Sequence, residues 1–237
     1  MLRIENFTKS YGSHVAVDGL TLHIAPGEIC GFIGHNGAGK TTTLKACCGL
    51  MGFDSGNIYI DGVSIKDDPV GCKKQMAYVP DNPDLYDFLT GMQYLNFVCD
   101  IYGVEKVLRA ERIARLGALL GMTDDLTLKL SACSHGMKQK VALIGALVHK
   151  PKLIMLDEPF VGLDPVASHQ LKKALQEHCA DGGAVFFSTH VLEVAEKLCH
   201  KIAIIKSGKL VASGNTDEVR GNASLEQVFL ELEDKEC

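Results

Sequence analysis

Short runs of apolar residues alternate along this chain with longer segments in which apolar residues recur at helical spacing. Apolar runs of about four to eight residues bounded by turn residues predict buried strands, and the longer periodic segments predict helices. Because the two kinds of segment alternate, we predict an α/β fold in which helices pack on a sheet. The predicted strands are Leu20–Ile24, Glu28–Ile33, Asn57–Ile60, Met76–Val79, Leu153–Leu156, Ala184–Phe187 and Ile202–Ile205.

Residues 90–148 depart from this alternation, because their apolar residues keep helical spacing almost throughout. We therefore predict a helical subdomain, 90–148, inserted between two parts of a sheet core, 1–89 and 149–214, within one domain that spans the chain. Residues 215–237 are predicted to form a helical tail that docks on the body. The tail residues that share one helical face are Leu225, Val228, Phe229 and Leu232.

Composition limits the classes of protein to which this chain can belong. Its 237 residues, 46% of them hydrophobic, are enough for one cored domain, and the net charge of −5 argues against broad nucleic-acid binding. The longest apolar stretch, Val141–Val148, is far shorter than the roughly 18 residues of a membrane-spanning helix. Charged residues near the start argue against a signal peptide. We therefore expect a cytoplasmic chain, unless a partner holds it at a membrane.

The nine cysteines are odd in number and include no Cys-x-x-Cys pair. We interpret them as small buried hydrophobic residues in a reducing compartment. A metal site or a redox switch is the less favoured alternative. Cys133 stands apart from the others because it falls within a motif described below.

A glycine-rich segment follows the predicted strand Glu28–Ile33 and opens a predicted helix, Lys40–Cys48. It fits G-x-x-x-x-G-K-[ST], the pattern of phosphate-binding loops, in which backbone N–H groups and a helix N-terminus surround phosphate oxygens. We predict that Lys40 reaches the β- and γ-phosphates, and that the Thr41 hydroxyl ligates Mg²⁺ with help from Thr42. The alternative is a glycine-rich turn without a ligand. The residues predicted to bind the nucleotide here are Gly34, Asn36, Gly37, Ala38, Gly39, Lys40, Thr41 and Thr42.

Two adjacent carboxylates follow the predicted strand Leu153–Leu156. Ligands of open α/β sheets bind at the carboxyl ends of the strands, where Asp157 and Glu158 would lie. We predict that Asp157 holds Mg²⁺ and that Glu158 orients or deprotonates the attacking water. An acidic turn at a strand end is the alternative for these two residues taken alone.

The two motifs above fit many families of P-loop NTPases, and further segments restrict the choice among those families. Asp157-Glu158-Pro159, Gly162-Leu163-Asp164-Pro165 and Ser188-Thr189-His190 occur in the order found in ABC ATPases, and the chain resembles that family from about Leu2 to Ala212. The resemblance implies a P-loop NTPase of the ABC ATPase type, with a mixed-sheet core, an N-terminal antiparallel β-subdomain and an inserted helical subdomain. It also implies hydrolysis of Mg-ATP in a head-to-tail dimer, formed with a second copy or with a paralogous ATPase.

The same resemblance assigns roles to two residues that their surroundings alone would not single out. Tyr11 occupies the place of an aromatic residue that stacks on adenine, although a lone tyrosine is more often an ordinary surface or core residue. His190 occupies the place of a histidine that contacts the γ-phosphate and positions Glu158 and the attacking water. The segment Gly162–Asp164 resembles the loop that meets its own copy across the dimer.

Two motifs depart from the family pattern. Cys133-Ser134-His135-Gly136-Met137 stands where the family usually has Leu-Ser-Gly-Gly-Gln, the signature that contacts the γ-phosphate held by the opposing chain. Ser134 and Gly136 keep a hydroxyl and an unhindered backbone N–H for that contact. Asp81 stands where the family has a glutamine that serves Mg²⁺ and water. We expect Asp81 either to ligate the metal and act in catalysis or to point away until the dimer closes.

Several short segments resemble one branch of the family, the Ecs-type ATPases within a wider group that serves bacterial exporters of drugs, bacteriocins or polysaccharides. They are Val79-Pro80-Asp81-Asn82-Pro83, Leu85-Tyr86, the stretch from Ser134 to Lys140, Asp157-Glu158-Pro159-Phe160 and the tail Leu225–Leu232. This branch implies an integral membrane permease as partner, export as the direction of transport, and attachment through the permease to the inner face of the membrane. The cargo is not specified by the chain.

The permease would dock near the segment after Asp81, where apolar or aromatic residues cluster: Pro83, Leu85, Tyr86, Phe88, Tyr94 and Phe97. Packing inside the helical subdomain is the alternative for each of these residues singly. Three alternatives to a transporter subunit stay open. They are a soluble ABC ATPase acting on ribosomes or DNA, a small-molecule kinase, and an ATP-binding regulator with little turnover.

Overall fold

The computed structural model describes residues 1–234, and the last three residues of the predicted tail, 235–237, lie outside this range. Strands and helices alternate along it. The strands are β1 (Leu2–Tyr11), β2 (His14–Ile24), β3 (Ile29–Ile33), β4 (Ser55–Ile60), β5 (Val63–Ser64), β6 (Met76–Val79), β7 (Leu153–Asp157), β8 (Ala184–Thr189), β9 (Lys201–Lys206) and β10 (Lys209–Asn215). The helices are α1 (Lys40–Cys47), α2 (Pro69–Lys74), α3 (Gly91–Ile101), α4 (Lys106–Leu119), α5 (His135–Val148), α6 (Pro165–Ala180), α7 (Leu192–Leu198), α8 (Thr216–Arg220) and α9 (Leu225–Asp234).

The larger sheet has the strand order β10-β9-β3-β8-β7-β6. All its neighbours pair in parallel except β10, which runs antiparallel to β9. Every residue of β3, β7 and β8 is buried, which explains their uninterrupted apolar runs, because parallel strands are covered on both faces. The carboxyl ends of these three strands therefore meet at one edge of the sheet.

The smaller sheet is antiparallel, with the order β2-β1-β4-β5. Its strands have one buried face: Leu2 and Ile4 are buried, whereas Arg3 between them is exposed. The predicted strand Leu20–Ile24 is too short, since it is only the second half of β2. Register shifts between Ile4 and Phe7 and beyond interrupt the alternation of apolar and polar residues, which hid β1 from the sequence pattern.

Three helices, α3, α4 and α5, form the segment between β6 and β7. Gly103 and Gly121 follow α3 and α4 with φ values of +66° and +64°, as expected of glycines that end helices. Thr90 caps the start of α3 reciprocally: its hydroxyl accepts from the Gln93 N–H, and the Gln93 side-chain oxygen accepts from the Thr90 N–H. These helices share one hydrophobic core with the larger sheet, in which Leu95 and Ile144 pack together with Leu156 and other strand residues.

The tail packs on the body with the face that the spacing of its apolar residues predicts. Leu225 and Phe229 are buried, Val228 and Leu232 are half-buried, and Leu230 is exposed. No helix within residues 1–234 has both the length and the apolar character needed to cross a membrane.

The eight cysteines in the described range are free, and all except Cys133 are buried. Burial raises the pKa of the Cys30 thiol to about 12, and the pKa of Cys179 to about 12 as well. These thiols are protonated at neutral pH and behave as small apolar residues, as the interpretation of the sequence proposed. Cys237 lies outside the described range.

Candidate nucleotide-binding site

The glycine-rich loop connects β3 to α1 and packs closely against the strand β9 and the start of β2. A Cβ atom at Gly34 would lie 2.5 Å from the carbonyl oxygen of Ile205, and one at Gly39 would lie 2.6 Å from that of Ala16. Gly39 also has a φ of +110°, a conformation that side chains disfavour. Glycine is therefore required at both ends of the loop.

Lys40 is almost fully buried at the first position of α1. Its ammonium group donates hydrogen bonds to the carbonyl oxygens of Gly34, at 2.6 Å, and His35, at 3.2 Å. The same nitrogen lies 3.6 Å from the Glu158 Oε1 atom. The cation is thus held between the loop and the end of β7, where an anion entering the loop would meet it.

The buried Asp157 carboxylate, at the end of β7, is bound on both sides by hydroxyl groups. Thr41 Oγ1 on α1 donates to Asp157 Oδ2 at 2.7 Å, and Ser188 Oγ on β8 donates to Asp157 Oδ1. Ser188 Oγ also accepts from the Glu158 N–H at 3.0 Å. Burying a carboxylate is costly unless it is hydrogen-bonded, so these hydroxyl groups offset the cost of burying Asp157. This role of Ser188 could not be read from the sequence, because its partner Asp157 lies on a different strand.

Glu158 has a φ of +48°, which is unfavourable for a residue with a side chain. Its Oε2 atom lies 3.0 Å from His190 Nδ1 and accepts from the His190 backbone N–H at 3.3 Å. The carboxylate is therefore held between His190 and Lys40. This places three of the predicted residues in direct contact.

A cavity of about 410 Å³ opens over these groups, and Asp81 and Tyr11, which is 50% exposed, lie on its wall. Sequence reasoning missed His14 and Ala16, which come from the start of β2 and carry no motif. Gly34 and Ala38 shape the loop without lining the cavity, and His190 reaches it only through Glu158. The lining residues are Tyr11, His14, Ala16, His35, Asn36, Gly37, Gly39, Lys40, Thr41, Thr42, Asp81, Asp157 and Glu158.

The altered signature lies outside this cavity. Ser134 caps α5 by accepting from the Met137 N–H at 3.3 Å. A Cβ atom at Gly136 would lie 2.8 Å from the Gly162 carbonyl oxygen, so the signature packs closely on the segment that follows Glu158. An ion pair of 2.8 Å between Lys140 and Asp164 fixes the same contact.

Three carboxylates, those of Asp81, Asp157 and Glu158, line the cavity on the side of β6 and β7. Burial raises the pKa of the Tyr78 hydroxyl, and the charges of Asp157 and Asp81 raise it further. Both carboxylates therefore act on the same buried group.

The residues present fit Mg²⁺ bound together with a phosphate. Among residues 1–234, no three His, Cys, Asp or Glu side chains come close enough together to hold a metal ion by themselves. Mg²⁺ does not need such a cage, because it is usually bound by one or two carboxylates, waters and substrate phosphate oxygens. The Thr41 hydroxyl and the Asp157 carboxylate, in mutual contact beside the phosphate-binding loop, are ligands of that kind.

Comparison with known proteins identifies the family. Residues 17–161 match the sequence profile described as ABC transporter, which is more than half of the chain. The chain belongs to the ABC transporter family. EcsA of Bacillus subtilis (strain 168), an ABC-type transporter ATP-binding protein, is 35% identical, and the match covers 98% of this chain and 96% of EcsA. The linearmycin resistance ATP-binding protein LnrL of the same organism is 34% identical, with 92% and 70% covered.

Solved structures agree with this assignment. An ATP-binding subunit of an ABC transporter superposes with a TM-score of 0.94 at 34% identity, covering 99% of this chain and 100% of that one. The ATP-binding cassette MJ0796, solved as a dimer bound to ADP and Pi, has the same fold, with a TM-score of 0.83 at 24% identity and coverage of 91% and 99%. The resemblance to ABC ATP-binding proteins and the predicted fold class are confirmed. The chain is an ATPase of the ABC type.

The close approach of Gly34 to β9 predicts the effect of adding a single methyl group there. Gly34→Ala should weaken Mg-ADP binding roughly tenfold or more, because the loop must move away from the Ile205 carbonyl oxygen. Isothermal titration calorimetry measures the change. Gly52→Ala is the matched control, since its Cβ would meet nothing within 4 Å and its φ is not positive. Equal affinities for the two variants would contradict the prediction.

Proposed function

We propose that this chain is the nucleotide-binding subunit of a membrane exporter, in which two ATPase chains close on two Mg-ATP molecules and drive a separate integral membrane permease. The observation that carries the proposal is the position of the signature. Ser134 and Gly136 do not line the cavity of their own chain, and Gly136 lies against Gly162 in the segment that follows Glu158. A second chain arranged head to tail would place its own signature over the open cavity.

Within one site, different residues bind the nucleotide, hold the metal and activate the water. The phosphate-binding loop and Lys40 bind the β- and γ-phosphates, Tyr11 stacks on adenine, and Thr41 and Asp157 hold Mg²⁺. The metal, when bound, neutralises charge on the phosphate oxygens. Glu158 orients the attacking water and accepts its proton as the oxygen bonds to the γ-phosphorus and the bond to ADP breaks. His190, which already contacts Glu158, keeps that carboxylate in place and contacts the γ-phosphate.

Asp81 is a candidate metal ligand, since it is exposed on the cavity wall together with Asp157. With Asp81→Ala, the Mg²⁺ concentration for half-maximal ATPase activity should rise on the order of tenfold, because one oxygen ligand is lost. Asp81→Gln, which supplies a neutral oxygen, should recover part of the difference. Asp84→Ala changes a nearby exposed carboxylate outside the cavity and should leave the Mg²⁺ dependence unchanged. An unchanged dependence in Asp81→Ala would remove Asp81 from the metal site.

The dimer is tested by blocking hydrolysis. Glu158→Gln should lower the ATPase rate by on the order of a hundredfold or more, because the water loses its base, and should accumulate an ATP-bound dimer. Size-exclusion chromatography with light scattering, in ATP and Mg²⁺, measures the mass. Glu177→Gln, which alters an exposed glutamate on α6, should stay monomeric and active. If Glu158→Gln remained a monomer in saturating ATP, the head-to-tail arrangement would be wrong.

The permease is proposed to dock on an aromatic patch formed by Tyr86, Phe88 and Phe97. Tyr86 lies with its ring centroid 5.9 Å from that of Phe88 and 5.8 Å from that of Phe97, and their exposed fractions are 51%, 74% and 42%. An exposed apolar patch of this kind suits a partner helix. The other residues named from the sequence are less accessible, because Pro83 and Leu85 are buried and Tyr94 is half-buried.

Contacts connect the aromatic patch to the nucleotide site. The patch follows Asp81 in the chain, and Asp87, between Tyr86 and Phe88, pairs with Lys138 of α5 at 2.6 Å. The carbonyl oxygen of Asp87 also accepts from the Ser131 N–H just before the signature, at 3.1 Å. Movement of the signature on dimer closure would therefore move the patch.

The direction of transport is proposed as export because LnrL, a resistance protein, and EcsA are relatives of this chain.

A comparison of tagged proteins purified from gently solubilised cells tests the docking site. The wild-type chain should recover a polytopic membrane protein at near-equal stoichiometry by quantitative mass spectrometry. Tyr86→Ser/Phe88→Ser should recover several-fold less, because the apolar contact is lost, while its basal ATPase activity persists. Val107→Ser, at a residue of α4 that is 80% exposed, is the control. Recovery of ribosomal or DNA-associated proteins without a membrane protein would overturn the transporter proposal.

A further inference from the structure

The tail helix α9 contacts the phosphate-binding loop, although none of the nucleotide-binding motifs includes it. The ring of Phe229 lies edge-on against the ring of His35, with centroids 5.0 Å apart and planes at 66°. Phe229 is only 8% exposed. His35 belongs to the loop itself, and its carbonyl oxygen accepts the hydrogen bond from the Lys40 ammonium at 3.2 Å.

His35 is well suited to transmit this contact. Apart from His35 and Asn36, residues 34–39 of the loop are glycine or alanine, so few side chains can hold the loop from outside. Glycine-rich backbone has high conformational freedom that must be restricted before its N–H groups can converge on a phosphate. A ring packed against His35 restricts this freedom without occupying the cavity.

The N-terminal end of α9 is anchored on α7. The Glu196 carboxylate accepts from the Leu225 N–H at 2.9 Å and from Arg220 Nη1 at 3.1 Å. These hydrogen bonds lower the pKa of Glu196, the one from Leu225 most strongly, so the carboxylate stays charged at neutral pH. Because α7 begins two residues after His190, the anchor joins the tail to the part of the fold that contacts Glu158.

The C-terminal part of α9 is anchored on β9. Lys206 Nζ donates to the Leu232 carbonyl oxygen at 3.1 Å, as is favourable for a cation near a helix C-terminus. The preceding residue, Ile205, is the one whose carbonyl oxygen faces Gly34. The helix is therefore fixed at both ends to elements that border the nucleotide site, and Phe229 lies between the two anchors.

We propose that Phe229 is a positioning residue for nucleotide binding: through the His35 ring, α9 holds the phosphate-binding loop in the conformation that receives the nucleotide. Phe229 does not line the cavity and would act on it through His35. It should therefore set nucleotide affinity rather than the chemical step. The inference rests on the proposed role of the phosphate-binding loop.

The test compares Phe229→Ala with Leu230→Ala, which alters the neighbouring residue on α9 that is 56% exposed. Edge-on aromatic contacts predict that Phe229→Ala weakens Mg-ADP binding by roughly two- to tenfold in calorimetry. KM for ATP should rise by a similar factor, kcat should be nearly unchanged, and Leu230→Ala should match wild type. Phe229→Leu keeps an apolar side chain but removes the ring, so it should weaken Mg-ADP binding while preserving the melting temperature. It replaces Phe229→Ala in the test if Phe229→Ala does not fold.

A double-mutant cycle with His35→Ala decides whether the effect passes through His35. The effect of the Phe229 substitution on affinity should largely disappear in the His35→Ala background. The same fold-change in both backgrounds, or a lower melting temperature with unchanged affinity, would reduce Phe229 to an ordinary packing residue and overturn the inference. Failure of the wild-type chain to bind Mg-ADP would instead overturn the proposed function, so the two failures are distinct.

Discussion

The Asp157 carboxylate is the point at which the phosphate-binding loop, the central sheet and the segment that carries His190 are joined. Its two oxygens are bound by hydroxyl groups from α1 and from β8, while Asp157 itself ends β7. A buried carboxylate on β7 with partners on two other elements fixes the relative positions of all three, because losing either partner leaves a buried polar group unsatisfied. Lys40, Glu158 and His190 are arranged around this connection, and the cavity opens beside it.

A second constraint comes from close backbone contact rather than charge. The signature can lie against the loop after Glu158 only because Gly136 leaves room for the Gly162 carbonyl oxygen. The ion pair between Lys140 and Asp164 adds a polar contact at the same place, and Asp164 in turn caps α6. The helical segment and the sheet are therefore joined at the residues proposed to face the second chain. A structural change at that surface can therefore be transmitted to the cavity through the contact of Gly136 with Gly162, in the segment that follows Glu158.

The parts of the site that could be predicted from the sequence are formed by residues close together in the chain. The loop 34–41 and the pair Asp157 and Glu158 carry their chemistry within a few positions, and fully buried strands such as β7 give unbroken apolar runs. The parts it missed depend on residues far apart in the chain. Ser188 binds Asp157 because β7 and β8 pair in one register, and Phe229 meets His35 across 194 positions. The strand β1 was missed for a local reason, since its register shifts disturb the alternation on which the prediction rests.

The backbone of Glu158 has one further consequence. Holding a residue with a side chain at a φ of +48° costs about 1–3 kcal/mol, an energy that glycine, and to a lesser degree asparagine, would avoid. Because Glu158 is the residue proposed to serve the attacking water, thermal robustness and turnover would favour different residues at this position. Selection for folding stability alone would replace glutamate at this position. Selection for the rate of ATP hydrolysis would retain it, at the cost of a less stable protein.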